Sequence, residues 1–421
     1  MNWISDVPRR AIVVVAIGLG GCAAATPPAA IATVNLPSTQ PDQTVAPTWP
    51  DIEAASEGAG ANAPDLAAGR WYELCNTRLD SVAPQPLPPG VEGVSAVIDD
   101  WSGAVLDSRR SRLLVWGGGH GGYAGNEIYA FDPATGSWSI IWGPTPLEQI
   151  PQGPQGFDEY PDGNPGSRHT YDNLVYDVAN DALWSSDGSL WQTGKSTSGT
   201  WSFDLQTNQW RRLPPNPAAQ IWAQTAYDPK RRLIVRRVNN GVFTYDPQKQ
   251  RWRKTSPGAY SHWHINGEID HDDRLFIMTG GQRFDVYNLD SQAFTRPKSG
   301  GDQTIVNAEA PGLSYHPALG EIVGWAGGEK LYRLSIARRN YSWTEVTPAH
   351  RGRAPGKPNN NGTYGRFRYV PTLDAFVVVN NTDENVFVYK LGVAADAPEP
   401  ADCVNAAALW TTPGTHSDRV D

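Results

Sequence analysis

The chain lacks a membrane-spanning segment in its apolar run at residues 11–19, which is far shorter than the ~20 residues a spanning helix needs. It also lacks a basic excess. Thirty-five Lys and Arg against 44 Asp and Glu leave a formal charge of −9, which offers no electrostatic footprint for nucleic acid. A polyanion would need a local cationic patch. Cysteine is scarce, with three residues at positions 22, 75 and 403. Large apolar residues are sparse in residues 23–64, where Ala, Pro and Thr dominate, so nothing there offsets the entropy of ordering and a flexible tether is expected. No second Pro-rich linker interrupts the chain beyond it. Residues 65–395 therefore count as one domain, because closed all-β folds run large as single units.

At the N-terminus, Arg9 and Arg10 precede the apolar run, the layout of a signal peptide over residues 1–21. The run ends in Leu19-Gly20-Gly21-Cys22, which resembles the lipobox of bacterial lipoproteins. That resemblance implies a diacylated Cys22, a tether over residues 22–64, and an exported, periplasmic or surface-exposed protein that meets the membrane through lipid alone. With Cys22 lipidated, Cys75 and Cys403 are left as a pair in an oxidising compartment. A disulfide between them would tie the tail, residues 396–421, to the domain.

Internal repetition carries the fold. Phe131-Asp132, Phe203-Asp204 and Tyr245-Asp246 are each followed six residues after the Asp by Trp138, Trp210 and Trp252, and Tyr287-Asn288 keeps the spacing to Phe294. The intervening residues are turn formers, so each copy reads as a β-hairpin with aromatic residues at both ends. A second hairpin precedes each copy, starting at Val105, Leu174, Thr225, Gly267, Leu313 and Phe367. The first interval is lengthened by a Pro/Gly-rich insertion at residues 143–166, and the fifth unit carries a shorter insertion at Arg338-Arg339.

Strands ending in a double glycine (Val115-Trp116-Gly117-Gly118, Met278-Thr279-Gly280-Gly281, Trp325-Ala326-Gly327-Gly328), followed by Tyr or Phe and then Trp, resemble the kelch repeat. The resemblance spans residues 70–391 and implies an all-β, kelch-type β-propeller of about six four-stranded blades, like the central propeller of galactose oxidase. The last blade has only three strands after Thr363, while Arg70-Trp71-Tyr72-Glu73-Leu74 is an orphan strand. Pairing the two closes the ring and removes exposed sheet edges. A monomer is expected.

In kelch-like rings the first strand of each blade lines the channel, and its start shares a face with the loop between strands two and three. That places His120, Tyr123 and Asn126 of a glycine-rich loop beside Arg168, His169 and Tyr171. Trp222, Gln224, His262, His264, Asn307, Asn361, Tyr364 and Arg366 fall on the same face. His262 and His264 could chelate a divalent metal, though no third ligand is in view and no cofactor is required. His271 and His316 fall on the opposite face.

Such a mouth suits a polysaccharide or other glycan: rings stack on Trp, hydroxyls meet amides and carboxylates meet Arg. The set of His, Tyr and Arg on one propeller face is similar to the sites of propeller-type ulvan lyases, which implies β-elimination on a uronate-containing glycan. The roles would be His120 or His169 as base and Tyr123 or Tyr171 as acid. Arg168 or Arg366 with Asn126 would neutralise the carboxylate, and Trp222, Gln224, His264 and Tyr364 would bind sugar. No Asp or Glu occurs at the strand starts beyond Glu268 and Glu309, which disfavours a paired-carboxylate glycosidase. Two other readings stand: a non-catalytic glycan- or protein-binding lipoprotein, and a metal-dependent oxidase of the galactose oxidase type, which needs a cysteine in its site.

Overall fold

The computed structural model describes residues 66–257, 261–348, 353–392 and 402–410. The expected signal peptide, Cys22, the expected tether to residue 64 and most of the C-terminal tail lie outside them.

The repeat spacing has a local cause. Asp132 Oδ1 accepts from the amides of Ala134 and Thr135, and Asp204, Asp246 and Asn288 repeat this two and three residues on. Each turn then closes through a residue of positive φ: Gly136 (67°), Asn208 (54°), Gln250 (50°) and Gln292 (60°). The side chain thus stands in for a backbone acceptor and sets the hairpin length. The aromatic residue six places later sits directly across the ladder, as in Phe131–Trp138, Phe203–Trp210 and Tyr245–Trp252, with ring centroids 5.0, 5.3 and 4.9 Å apart. The tryptophans also reach back to the preceding blade: Trp210 meets Trp116 at 5.0 Å and Trp252 meets Trp184 at 5.9 Å. One residue type therefore closes the hairpin and glues blade to blade.

The result is a β-propeller of six blades, each with four antiparallel strands. Their first strands are Ala104–Asp107, Leu174–Asp177, Gln224–Asp228, Asn266–Asp270, Gly312–His316 and Phe367–Val370, and they contact one another in order around the ring. The sixth blade is completed by Arg70–Glu73, which pairs with Phe387–Lys390 in the register Arg70↔Lys390 to Glu73↔Phe387. Trp71 and Leu74 are buried there, and Trp71 Nε1 donates to the Glu329 carbonyl at 2.8 Å.

Cys75 and Cys403 form a disulfide across 328 positions. The tail adds to the outer side of the seam, where Val404 exchanges backbone hydrogen bonds with Glu73 and Cys75 at 2.8 Å each. A loop this long nominally gains about 6 kcal/mol from cross-linking, but the paired seam strand already restrains the same ends.

Two expectations are corrected. Arg338-Arg339 is a two-residue hairpin turn with φ of 51° and 63°, so no insertion interrupts the fifth blade. The segment from Arg168 to Tyr171 is not the start of the second blade's inner strand, because Arg168–His169 pairs separately with Ser189–Leu190 and Tyr171 turns the chain at φ 47°.

Candidate functional site

The starts of the first strands converge on one mouth of the channel. Tyr171, Ala310 and Tyr364 form its floor, and Trp101, Ile221, Trp222 and Trp263 pack partly exposed around them. Trp222 meets Trp263 edge-on at 5.2 Å, and Trp101 stacks on His169 at 5.4 Å and lies 6.3 Å from Tyr171. The backbone supports this by unusual turns: Trp101 (φ 48°), His120 (43°), Tyr171 (47°) and Tyr364 (46°) all lie in the left-handed region. Non-glycine residues seldom adopt it, and such turns cluster at functional sites.

His120 is exposed, with its ring edge 5.6 Å from His169. His169 is buried at 2% exposure, and neither ring nitrogen has a hydrogen-bond partner among the described residues. Its Nε2 nevertheless lies 3.4 Å from Asp100 Oδ2, within ion-pair reach when protonated. Tyr171 lies 6.0 Å from His169, and burial, then the Asp100 charge, pushes its phenol above the usual range. Asp100 also faces Glu92. Burial, then the Asp100 charge, raises the Glu92 carboxyl.

On the other side of the mouth the rings of His262 and His264 stack at 4.4 Å, and His264 Nδ1 contacts Glu309. Burial lowers the pKa of both histidines. Among the described residues no group of three His, Cys, Asp or Glu is arranged to hold a metal ion. Among the described residues the two cysteines, Cys75 and Cys403, are bonded to each other at the seam.

Several expected site residues instead hold the scaffold. Arg168 is fully enclosed, donating to the Gly166 and Asp158 carbonyls at 2.9 and 2.7 Å and to Asp158 Oδ1 at 3.0 Å. Asn126 spends both amide hydrogens on Thr145 Oγ1 and the Pro165 carbonyl, each at 2.9 Å, and accepts from the Thr145 amide at 2.8 Å. Together they pin the insertion at residues 143–166 to the ring. Arg366 donates only to backbone carbonyls, and Gln224 is occupied by Arg237 at 2.8 Å and Ser261 at 2.9 Å. Tyr364 donates to the Trp263 carbonyl at 2.7 Å, which positions that indole at the mouth.

Tyr123 is enclosed away from the mouth, bonded at 2.7 Å to Glu127 Oε1, which also accepts from Tyr129 at 2.6 Å. Burial raises the Glu127 carboxyl despite these bonds, and Oε2 has no partner among the described residues. An acid that binds its proton more tightly when folded stabilises most below its ordinary value of 4.5, and this contribution fades as pH rises through the raised value. Glu127→Gln keeps the shared acceptor and removes the buried charge. Its melting temperature should exceed the parent's near about pH 8 and lose that advantage near about pH 4. Equal differences at both pH values would show that Glu127 carries no proton-linked stability.

Glu92, Asp100, Trp101 and Trp263 were not singled out from sequence as site residues. Trp263 had a signal, lying between two candidate histidines. The others come from the segment between the seam strand and the first blade, outside the repeat, where only Asp99-Asp100-Trp101 hinted at more than a connection. Comparison of the chain with known protein families and with curated proteins finds no match in either.

Proposed function

We propose that this protein is an exported, kelch-type propeller that binds a glycan at the aromatic mouth and cleaves it by β-elimination beside a uronate. The observation that carries the reading is the mouth itself: partly exposed Trp101, Trp222 and Trp263 around a floor of tyrosines, with imidazoles on both sides. Sugar rings stack on such indoles through their C–H faces. His120, the exposed imidazole, takes the proton beside the carboxylate, and Tyr171 protonates the departing oxygen. His169 stands behind His120, with Asp100 3.4 Å from its Nε2. Arg168, Arg366 and Asn126 are committed to the scaffold, so the substrate carboxylate is not theirs to neutralise. A lipid on Cys22 would keep the protein at the membrane.

A second reading, glycan binding without turnover, is favoured by the enclosure of Tyr123, Asn126, Arg168 and Arg366. The test is a panel of acidic polysaccharides, with turnover read as absorbance of unsaturated uronate and binding read by calorimetry. Turnover that falls at least about a hundredfold in His120→Ala supports the lyase, since general bases contribute about 10²–10⁴. Binding without turnover, reduced in Trp222→Ala, selects the second reading. Neither binding nor turnover across the panel removes both.

A further inference from the structure

The opposite end of the channel holds a different kind of site. A cavity of about 190 Å³ opens among the far ends of the first strands. A cavity of about 150 Å³ takes a benzene ring, so this one is ring-sized. Two residues before the last residue of each first strand, the blades carry in order Val105, Val175, Ala226, Glu268, Ser314 and Arg368, and all six line the cavity. Blades one to three thus form an apolar wall and blades four to six a polar one.

Glu268 and Arg368 are ion-paired across the fifth blade, with 14% and 17% of their side chains left exposed. The pair is neutral overall and presents both donors and acceptors. Arg368 is further fixed by the Gly365 carbonyl at 3.1 Å, and Glu268 by the Ile269 amide at 3.0 Å. Thr225 lines the same cavity at 4% exposure, and its hydroxyl is enclosed with no hydrogen-bond partner among the described residues. Tyr176, Tyr227, Tyr315 and Tyr369 line the cavity one residue further along each strand, adding faces for stacking.

We propose that this cavity is a second, non-catalytic site for one uncharged hydroxylated ring: a free hexose or the end residue of a glycan. The C–H face of the ring would lie on Val105, Val175 and Ala226, and its hydroxyls would meet Glu268 and Arg368. A charged sugar is disfavoured because Glu268 and Arg368 already balance, which would leave the added charge uncompensated in an enclosed place. The site is independent of the mouth and does not rest on the reading given to it.

Saturation-transfer NMR on the full chain tests this, with methyl α-glucopyranoside, glucuronic acid and cyclohexanol as probes. Saturation should reach the glucoside in the parent, fall at least about fivefold in Ser108→Trp, and persist in Trp222→Ala. Ser108 lies half-buried in a rim turn, where an indole would cover the opening without disturbing a strand. Glu268→Gln leaves Arg368 unpaired and should reverse the preference toward glucuronic acid; should that variant not fold, Ser108→Trp still decides. Loss in Trp222→Ala but not in Ser108→Trp would overturn this site while leaving the mouth intact. Cyclohexanol saturated as strongly as the glucoside, or no saturation of the glucoside in the parent, would overturn the assignment to a sugar.

Discussion

Deletion of residues 71–74 is expected to leave a chain without a cooperative unfolding transition. These residues contribute Trp71, Tyr72 and Leu74 to the interior at exposures of 1%, 7% and 0%. Withdrawing each large apolar side chain removes roughly 1.5–3 kcal/mol of burial. Three of them together approach the whole stability of an ordinary domain, about 5–15 kcal/mol. The loss does not stop at side chains. Phe387–Lys390 would lose the strand it pairs with and become an open edge, which invites pairing with another copy. The disulfide does not rescue the ring, because Cys75 would then tether the tail to a blade with nothing between them. Circular dichroism melting and light scattering on the purified protein check this. A melting transition unchanged from the parent would mean that the sixth blade closes by other contacts.

The ring was legible in the sequence for a physical reason. The Asp-to-Trp spacing encodes a complete unit of local structure: an Asx turn, a positive-φ residue and a cross-strand aromatic pair, all within a few residues. The orphan strand Arg70–Glu73 was readable because a three-stranded last blade leaves an edge that must be covered. The cysteine pair flanked that same seam.

The mouth was only half legible. Polarity and face put Arg168, Arg366 and Asn126 at the mouth, but their side chains are spent on the scaffold. Arg168 and Arg366 turn inward because backbone carbonyls at blade junctions need donors that a β-ladder does not supply. His169 and Tyr171 are not same-face residues of one strand, since a left-handed residue at 171 breaks the period of two. The rings still come together, at 6.0 Å, by a turn and not by a strand.

Arg366 gives the sharpest separation between a scaffold role and a substrate role. Its guanidinium is fully buried at the junction of the last and first blades. It donates to the Ser102 carbonyl at 3.0 Å, to Val379 at 2.7 Å, to Asn380 at 3.0 Å and to Gly362. Burial pushes its pKa down to about 10, opposed by the charge of Asp99, so the cation is retained at neutral pH. Replacing it with Met keeps most of the volume and orphans four carbonyl acceptors. An enclosed acceptor without a partner costs about 1–3 kcal/mol, so the expected loss is at least about 4 kcal/mol. Lys cannot recover this, because one ammonium cannot reach acceptors spread over two blades. Arg366→Met should therefore lower the denaturant midpoint sharply, and Arg366→Lys nearly as much. A substrate-binding Arg366 would behave differently: Arg366→Met would keep the parent midpoint and lose only affinity for acidic glycan. Urea unfolding of the two variants beside glycan titration decides between them, and an unchanged midpoint would return Arg366 to the mouth.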